Sequence, residues 1–385
     1  MENHKKPKIG IDARFYGPLG KGLGRYTQEI TDRIVSFDQT ADYVIFLSPE
    51  NFDSFQLPGK NYKKVKINIR WYSWREQVIL PFYFYRENLD LLHFTHFNVP
   101  IFYRRNFIVT IHDLILTKFP SLKATLLKPW MYRLKNFAYR QVIGYAVKNS
   151  LKIIAVSKFT AEDIIKQFKI SANKIEVTYE GVADNFLVDV ATDSRILQQQ
   201  GIDQPFFLYV GNAYPHKNLE GLLKAFSSFQ GESKQHNASL VLVGKEDYFY
   251  LQIKKLAKDL QVKRVYFLGY VSDDDLSFLF SRALAYIFPS FYEGFGLPPL
   301  EAMSRGCPVV SSKEGSLPEI LGDAALYFDP YDANDFLSKM NRVFSDATLR
   351  ENLKDAGTKR VKDFSWQDCA KKTLAVYQKC LKIND

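Results

Sequence analysis

The feature of this sequence that most restricts its fold is an alternation of strand-like and helix-like segments, which runs through the 385 residues in two sets. The strand-like segments are short, rich in Val, Ile and aromatic residues, and largely lack polar alternation, as strands buried on both faces do. Repeated alternation of this kind predicts parallel sheets, and two complete sets predict two doubly wound α/β domains. The predicted strands are PKIGIDARF, DYVIFLS, VKINIRWY, LLHFTHF, FIVTIHDL and LKIIAVS, then FFLYVGN, SLVLVGK, RVYFLGY, ALAYIFPS, PVVSS and ALYFDP.

The two sets meet at a polar segment, residues 184–204, which has no core pattern. We therefore predict an N-terminal domain over residues 1–186, a C-terminal domain over 187–365 and a last helix over 366–385. The sequence has neither a long apolar run nor the apolar stretch of a signal peptide, which favours a cytoplasmic location. Its three cysteines lack metal-ligand spacing and fit a reducing compartment.

Positive charge is concentrated in the N-terminal half. Residues 1–186 hold 28 Lys and Arg against 17 Asp and Glu, whereas the rest of the chain holds 24 against 25. A one-sided basic field attracts phosphates, and the basic, aromatic segments 70–86 and 128–140 suit an anionic membrane surface. The alternative is that their aromatic residues form core. A basic nucleic-acid-binding protein is a further alternative, but no motif of that class is present.

Ligands of open parallel sheets bind beyond the carboxyl ends of the strands, so residues that follow strands are the candidates for a site. The first candidate is the glycine-rich loop at 17–27, where Gly20 and Gly22 would let backbone amides approach a phosphate at the start of a helix. Its spacing does not match G-x-G-x-x-G, so a dinucleotide fingerprint is absent. A mobile surface loop is the alternative.

The second candidate is His112, which ends the predicted strand FIVTIHDL and precedes Asp113. A position at the carboxyl end of a strand favours a functional role over a structural one. The neighbouring His93 and His96 suggest a metal pair, but a convincing metal site needs three or four ligands. We therefore expect no metal there.

Two segments of the second half carry the strongest signals. In GNAYPHKNLEGLL, His216 and Lys217 come just before a predicted helix, and their positive charge beside the positive end of that helix favours a bound anion. In FPSFYEGFGLPPLEAMSRGCPVVSS, Glu293 and Glu301 are eight positions apart and can face one ligand as acceptors of sugar hydroxyl groups. The free amides of residues 294–297 can meet a diphosphate.

Residues 273–275 are three aspartates and superficially match the D-x-D motif that binds a metal in many glycosyltransferases. They directly precede an apolar helical pattern. A helix capped by Ser272, with acidic residues in its first turn, explains them without a metal.

The segment FYEGFGLPPLEAMSRGCPVVSS resembles the E-x7-E signature of family-4 retaining glycosyltransferases, which have the GT-B fold. The resemblance extends over nearly the whole chain. It implies two Rossmann-like domains that face each other across a cleft, an acceptor-binding domain over residues 1–186 and a nucleotide-sugar-binding domain over 187–365. The last helix is expected to cross back to the first domain. The N-terminal pattern is most similar to that of bacterial polysaccharide mannosyltransferases. The other matching segments, in the expected order, are IGIDAR, TIHDL, AVSKFTAEDI, YVGNAYPHKNL, LVGK, FLGYVSDDDL and FSWQDCAKKTLAVY.

The resemblance also implies roles for individual residues. Lys217 would neutralise the diphosphate leaving group, Glu293 would hold sugar hydroxyls, and His112 would lie beside the transferred sugar. Glu301 would hold the ribose, and Gly22 would contact the donor phosphates. The remaining donor-binding positions are Gly20, His216, Gly244, Tyr270, Val271, Gly294, Phe295, Gly296 and Leu297.

By this resemblance the chain transfers a hexose with retention of configuration, without a metal or other cofactor. The expected donor is GDP-mannose first and a UDP-linked hexose next. The expected acceptor is a saccharide or a polyprenyl-diphosphate-linked saccharide of bacterial surface polysaccharide synthesis, met at the inner face of the cell membrane. A nucleotide-sugar epimerase with the same architecture is the nearest alternative.

The sequence departs from the family at one position, because His216 stands where an arginine is usual. A histidine with an ordinary pKa of ~6.5 loses its charge near neutral pH. If His216 binds phosphate as a cation, activity should fall above about pH 7.

Overall fold

The computed structural model describes residues 6–17, 21–57, 59, 61–119, 128–183, 186, 195–202, 204–232 and 237–382. The chain forms two compact units. The first comprises Met1–Lys118, Leu127–Gly181 and Ser365–Asp385, and the second comprises Phe119–Leu126 and Val182–Phe364. The first boundary between the units therefore lies after residue 181, against 186 in the prediction. The second lies after residue 364, against 365 in the prediction.

The first unit contains a seven-stranded sheet with the strand order β3-β2-β1-β4-β5-β6-β7, and every pairing in it is parallel. The order reverses between β1 and β4, which is the topological switch point of the sheet. The elements are β1 (Lys8–Asp12), α1 (Lys21–Phe37), β2 (Asp42–Leu47), β3 (Tyr62–Lys66), α2 (Trp74–Val78), α3 (Leu80–Arg86), β4 (Leu91–Phe94), β5 (Phe107–Ile111), α4 (Ile115–Lys118), α5 (Pro129–Asn149), β6 (Ile153–Ala155), α6 (Lys158–Phe168), a 3₁₀ turn (Ala172–Lys174), β7 (Ile175–Val177) and the C-terminal helix α15 (Trp366–Lys382).

The second unit contains a six-stranded parallel sheet with the order β10-β9-β8-β11-β12-β13, and its switch point lies between β8 and β11. The elements are α7 (Ile196–Gln199), β8 (Phe206–Val210), a 3₁₀ turn (Pro215–Lys217), α8 (Leu219–Glu232), β9 (Ser239–Val243), α9 (Tyr248–Asp259), β10 (Val265–Gly269), α10 (Asp273–Arg282), β11 (Ala285–Phe288), α11 (Leu297–Ser304), β12 (Val309–Ser312), α12 (Leu317–Leu321), a 3₁₀ turn (Gly322–Ala324), β13 (Ala325–Phe328), α13 (Ala333–Ser345), α14 (Ala347–Arg360) and a 3₁₀ turn (Val361–Asp363).

The predicted α/β fold with two parallel sheets is confirmed, but two strands of the first sheet differ from the prediction. The strand expected over residues 65–72 is β3, which begins at Tyr62 and ends at Lys66. It lies at the edge of the sheet and three of its five residues are lysines, so its sequence lacks the apolar run of a central strand. The other edge strand, β7, has only three partly exposed residues and was not predicted for the same reason.

Buried aromatic side chains fill the core of the first unit between its sheet and α3. The ring of Phe84 meets those of Phe46, Phe94 and Tyr103 edge-on, with centroids 4.8, 5.5 and 5.6 Å away. Such edge-to-face contacts are the preferred geometry of aromatic pairs and add to the free energy gained from burial.

The C-terminal helix α15 is joined to the sheet of the first unit by buried hydrogen bonds through His93. The Nδ1 atom of His93 lies 2.7 Å from the Tyr377 hydroxyl, and its Nε2 atom lies 2.8 Å from Thr110 Oγ1. Thr110 Oγ1 is in turn 2.9 Å from the Tyr26 hydroxyl of α1. At Gly181, a Cβ atom would come within 2.3 Å of the backbone nitrogen of Trp366, so the approach of α15 to this segment requires glycine.

We predict that His93 makes the free energy of unfolding dependent on pH. Burial lowers the pKa of His93 to about 3, whereas the ring in the unfolded chain has a pKa of ~6.5. Between these values the unfolded chain binds the extra proton, so stability falls as the pH falls, by about 1.4 kcal/mol per pH unit. The measurement is urea unfolding of the full chain from pH 7.5 to 4.5, which should show this slope. His93→Gln, whose amide can still reach both hydroxyls, should lower the slope by about 1.4 kcal/mol per pH unit, the contribution of one proton. An unchanged slope in the variant would contradict the prediction.

Candidate active site

At the carboxyl ends of β8 and β11, Lys217 and Glu293 form an ion pair. Lys217 ends the 3₁₀ turn that follows β8, and its Nζ atom lies 2.6 Å from Glu293 Oε1, in the loop after β11. Their side chains are only 14% and 9% exposed. Lys217 Nζ also lies 5.4 Å from the centre of the Phe288 ring. Because β8 and β11 flank the switch point, these residues lie where open α/β sheets bind ligands.

The loop that carries Glu293 is fixed by the segment before α12. The Ser316 amide donates to the Glu293 carbonyl over 3.2 Å, and Ser316 Oγ lies 3.1 Å from the carbonyl oxygens of Glu293 and Phe295. Gly315 has φ +66°, and a Cβ there would lie 2.8 Å from the Glu293 nitrogen. The loop is thus positioned by a buried serine and a glycine that no larger residue can replace without a shift.

Glu301 lies within α11 and is 5% exposed. Burial, and then the charges of Glu301 and Glu293, raise the pKa of Tyr286. The charges of both carboxylates therefore act on the same phenol; that the two side chains face one ligand stays a prediction. The helix begins at Leu297 after Gly296, whose φ of 96° favours glycine, and Gly294 lies in the loop before it.

Three further candidates follow β9 and β10. A Cβ atom on Gly244 would lie 2.0 Å from the Gly211 carbonyl oxygen, so this glycine is required by backbone packing. Tyr270 is 82% exposed, and Val271 beside it is half-buried. All three lie along the same edge of the sheet as Lys217.

His216 has a different charge from the one its sequence position suggested. Burial, and then the charge of Lys217, lower the pKa of His216 to about 4. Its carbonyl accepts a hydrogen bond of 2.8 Å from the Phe291 amide, which ties the 3₁₀ turn to the loop after β11. The fall in activity above pH 7 assumed an ordinary pKa, and that assumption is wrong for the ligand-free protein, because the ring is already neutral at pH 7.

His112 belongs to the first unit and follows β5. Its Nδ1 atom lies 3.1 Å from Glu180 Oε1, and its Nε2 atom donates to the Thr95 carbonyl over 3.0 Å. Burial lowers the pKa of this ring, but the hydrogen bond and charge of Glu180 outweigh burial and raise it above the ordinary value. Both ring nitrogens lie beside oxygen acceptors, an arrangement that favours the protonated form of the ring. Glu180 was not among the predicted residues, because it follows β7, the strand that the sequence pattern did not reveal.

The glycine-rich loop is described only in part. Gly22 is in the first turn of α1, and a Cβ atom there would meet nothing within 4 Å, so its backbone faces open space. At Gly24, by contrast, a Cβ atom would lie 2.1 Å from the Gly17 carbonyl oxygen, so this glycine serves packing. Gly20 lies outside the described residues.

Residues 273–275 form the first turn of α10, as predicted. Ser272 is the N-cap, and its Oγ accepts a hydrogen bond of 3.1 Å from the Asp275 amide. Across the described parts of the chain, no group of three His, Cys, Asp or Glu side chains could hold a metal ion. That transfer needs no metal stays a prediction.

Comparison with known proteins agrees with this arrangement. Residues 20–186 match the model of glycosyltransferase family 4, and residues 193–360 match that of glycosyl transferases group 1. O-antigen chain mannosyltransferase B of Escherichia coli is 28% identical over 93% of this chain and 96% of its own length. O-antigen chain mannosyltransferase RfbU of Salmonella typhimurium is 28% identical over 73% of each chain. HepE of Anabaena, solved with UDP and glucose, has a TM-score of 0.74 at 17% identity, over 97% of this chain and 100% of its own.

The chain is therefore a glycosyltransferase with the GT-B fold, built from a family-4 half and a group-1 half. Among glycosyltransferases it resembles the bacterial mannosyltransferases.

We predict that His216 contributes no ionisation to the pH profile between pH 6 and 9. The value of kcat/KM reports the ionisation of the free enzyme, in which the His216 ring is neutral over this range. The profiles of the wild type and His216→Gln should have the same shape when kcat/KM for the nucleotide-sugar donor is measured. A limb with an apparent pKa between 6 and 8 that disappears in the variant would contradict this.

Proposed function

We propose that this glycosyltransferase transfers mannose from GDP-mannose, with retention of configuration, to a saccharide acceptor of surface polysaccharide synthesis. The observation that carries the proposal is the Lys217–Glu293 pair at the switch point of the second sheet. The two O-antigen mannosyltransferase relatives support mannose as the sugar.

The costly step is cleavage of the bond between the anomeric carbon and the diphosphate, because negative charge develops on the leaving group. Electrostatic stabilisation of that developing charge by a group already in position is usually the largest single contribution to the rate enhancement. Lys217 provides it, and Glu293 balances it before the donor binds. When the donor binds, its diphosphate replaces Glu293 as the ionic partner of Lys217. The Glu293 carboxylate can then accept hydrogen bonds from the sugar hydroxyls. The amides at the start of α11 add donors for the phosphate.

Retention follows from attack on the same face of the sugar from which the diphosphate leaves. Once the donor is bound, the Glu293 carboxylate accepts hydrogen bonds from the sugar hydroxyls in this scheme, so it does not serve as a covalent nucleophile. The departing phosphate oxygen instead takes the proton of the acceptor hydroxyl. The acceptor oxygen then bonds to the anomeric carbon, and no other base is needed.

We further propose that the first unit meets an anionic phospholipid surface. On α5, Trp130, Leu134 and Phe137 are 65%, 63% and 61% exposed and lie on one face of the helix, with exposed Arg133 and Arg140 beside them. Tyr139 of the same helix packs against the core beside Phe97, so the alternative that the aromatic residues form core applies to it but not to the exposed Trp130 and Phe137. Apolar side chains flanked by arginines suit the interface of an anionic bilayer.

Helices α2 and α3 of the same unit repeat this pattern. Trp74, Val78 and Phe82 are 71%, 45% and 68% exposed and are spaced by four residues, with exposed Arg75 and Arg86 nearby. None of the helices that the structure describes is long and apolar enough to cross a membrane. The proposed contact is therefore with the surface of the bilayer.

We predict that Lys217→Ala and Glu293→Ala each lower kcat by a factor of about 100 or more, because each removes a charged group at the reacting bond. The measurement is GDP release from GDP-mannose in the presence of acceptor. Lys313→Ala is the matched control, since Lys313 is a half-exposed lysine of the same unit that pairs with Asp329 at 2.9 Å. Near wild-type turnover in either site variant would exclude the proposed site.

The same assay separates transfer from epimerisation. An epimerase would convert the nucleotide sugar without an acceptor, whereas a transferase forms a glycoside whose anomeric configuration can be read by NMR. An inverted product would exclude the same-face mechanism.

We predict that the full chain co-sediments with vesicles that contain phosphatidylglycerol, and that binding weakens as salt is added, because salt screens the arginines. The double substitution Trp130→Ser and Phe137→Ser should reduce binding about tenfold or more, since it removes two exposed aromatic anchors. Tyr248→Ser with Tyr331→Ser, which removes two exposed aromatics of the second unit, is the control. Equal binding of all three proteins, or no binding at low salt, would contradict the proposal.

A further inference from the structure

Aromatic side chains gather at the switch point of the first sheet, and none of them is among the residues assigned above to the donor. Phe15 follows β1, His96 follows β4, and Trp71 and Tyr72 lie between β3 and α2. The Phe15 and Trp71 rings are stacked with centroids 4.3 Å apart, and the His96 ring lies 5.2 Å from Phe15 and 6.2 Å from Tyr72. We refer to these four residues as the aromatic platform.

The outer part of the aromatic platform is accessible. Tyr72 is 55% exposed and Trp71 is partly exposed, whereas Phe15 beneath them is only 8% exposed. The platform therefore presents an aromatic surface that rests on a buried ring. Because β1 and β4 flank the reversal in strand order, this surface lies where open α/β sheets bind their ligands.

A buried ionic network supports the aromatic platform from below. Arg14 donates from Nε and Nη2 to the two oxygens of Asp12, each over 2.8 Å, and its Nη2 also lies 2.8 Å from Glu76 Oε1. Asp12, Arg14 and Glu76 are 6%, 1% and 0% exposed. Burying three charged groups costs free energy of desolvation. Apolar residues of similar volume often give a protein equal or greater stability. A role in holding a site explains why this position carries charges.

The network also fixes the backbone of the aromatic platform. Glu76 Oε2 accepts a hydrogen bond of 2.7 Å from the Tyr72 amide and another from the Asn98 side chain. Tyr72 has φ +58°, a left-handed conformation that is unfavourable for a residue with a Cβ atom. Glu76 thus holds Tyr72 in a turn that aims the two exposed rings outward. Strain of this kind collects at ligand sites.

Polar atoms beside the platform still lack partners. Among the described residues, neither Arg14 Nη1 nor His96 Nδ1 has a hydrogen-bond partner, although both atoms are buried. Buried polar atoms are normally paired, so each such atom calls for an explanation, such as a ligand or a water. Asp113, at the end of the adjacent strand β5, adds a carboxylate to the same edge of the sheet.

We propose that the aromatic platform binds a sugar ring of the acceptor saccharide, with Glu76 as a positioning residue; this rests on the proposed function. The face of a hexose that carries C–H groups is apolar and stacks on the negative face of an aromatic ring. Its hydroxyl groups need donors and acceptors at the edge of that surface, which the Tyr72 phenol, His96 and Asp113 provide. An apolar surface with a few polar groups around it is the usual form of a small-ligand site.

The first test measures saccharide binding by the full chain without any donor. Titration with an α-linked mannotriose, followed by saturation-transfer NMR, should give weak binding that Trp71→Ala reduces about tenfold or more, as loss of an aromatic anchor does. Trp71→Phe should stay within about threefold of the wild type, because it keeps the stacking face. Phe102→Ala, which removes an aromatic side chain that is 53% exposed in the same unit, should change nothing.

Three outcomes would overturn the proposal. The first is equal mannotriose binding by Trp71→Ala and the wild type. The second is an equal loss of binding in Trp71→Ala and Phe102→Ala. The third is no mannotriose binding by the wild type. A loss of GDP binding in Trp71→Ala, measured in the same way, would also overturn it, because the platform would then be a nucleotide site. A failure of the proposed donor chemistry appears in the Lys217→Ala assay instead, which does not depend on the platform.

The second test separates positioning from folding. Glu76→Gln weakens the hydrogen bond to the Tyr72 amide and places an amide beside Arg14, so the KM for the acceptor should rise about tenfold while kcat and the donor KM stay unchanged. A merely structural role would lower kcat as the folded fraction falls, with the two KM values either both unchanged or both raised. Either result, or an unchanged acceptor KM, would refute the role of Glu76.

Discussion

The pairing of every strand in parallel is the constraint on which the rest of the molecule depends. Because all strands of a sheet run the same way, their carboxyl ends lie along one edge, and the segments that follow them gather there. In the second sheet this brings Lys217 after β8 against Glu293 after β11, although the two residues are 76 positions apart in sequence. In the first sheet it brings Phe15 after β1 beside His96 after β4. Each unit thus has a functional edge at its own reversal of strand order.

Much of this arrangement was predictable, and the failures have a common physical origin. All six strands of the second sheet have apolar sequences and were predicted, including the partly exposed edge strand β10, whereas the three-residue edge strand β7 was not. Glu180 was missed together with β7. The pairing of Arg14 with Glu76 was missed because the two residues are far apart in sequence and meet only through the fold. The local sequence pattern identifies residues that follow strands with a clear apolar signal. It does not identify pairs of residues that are distant in sequence and meet only in the folded structure.

The two histidines of the candidate set show why charge could not be predicted from residue type. Both rings are largely buried, which disfavours the charged form of each. His216 lies beside Lys217, whose charge adds to that effect and leaves its pKa at about 4. His112 instead lies beside Glu180, whose hydrogen bond and negative charge raise the pKa of His112 above the ordinary value. The neighbouring residue therefore decides the charge of each ring.

This difference in charge matches the chemistry proposed for each unit. At the donor edge, Lys217 is the positive side chain that pairs with Glu293 and His216 is neutral, so in the proposed chemistry the leaving-group charge meets Lys217 and the helix amides. At the acceptor edge, the buried charges of Asp12, Arg14 and Glu76 sum to −1 when all three are ionised, which favours hydroxyl donors over phosphate. A sugar that carries hydroxyl groups and no charge fits the acceptor edge of the first unit. A diphosphate fits the donor edge of the second unit.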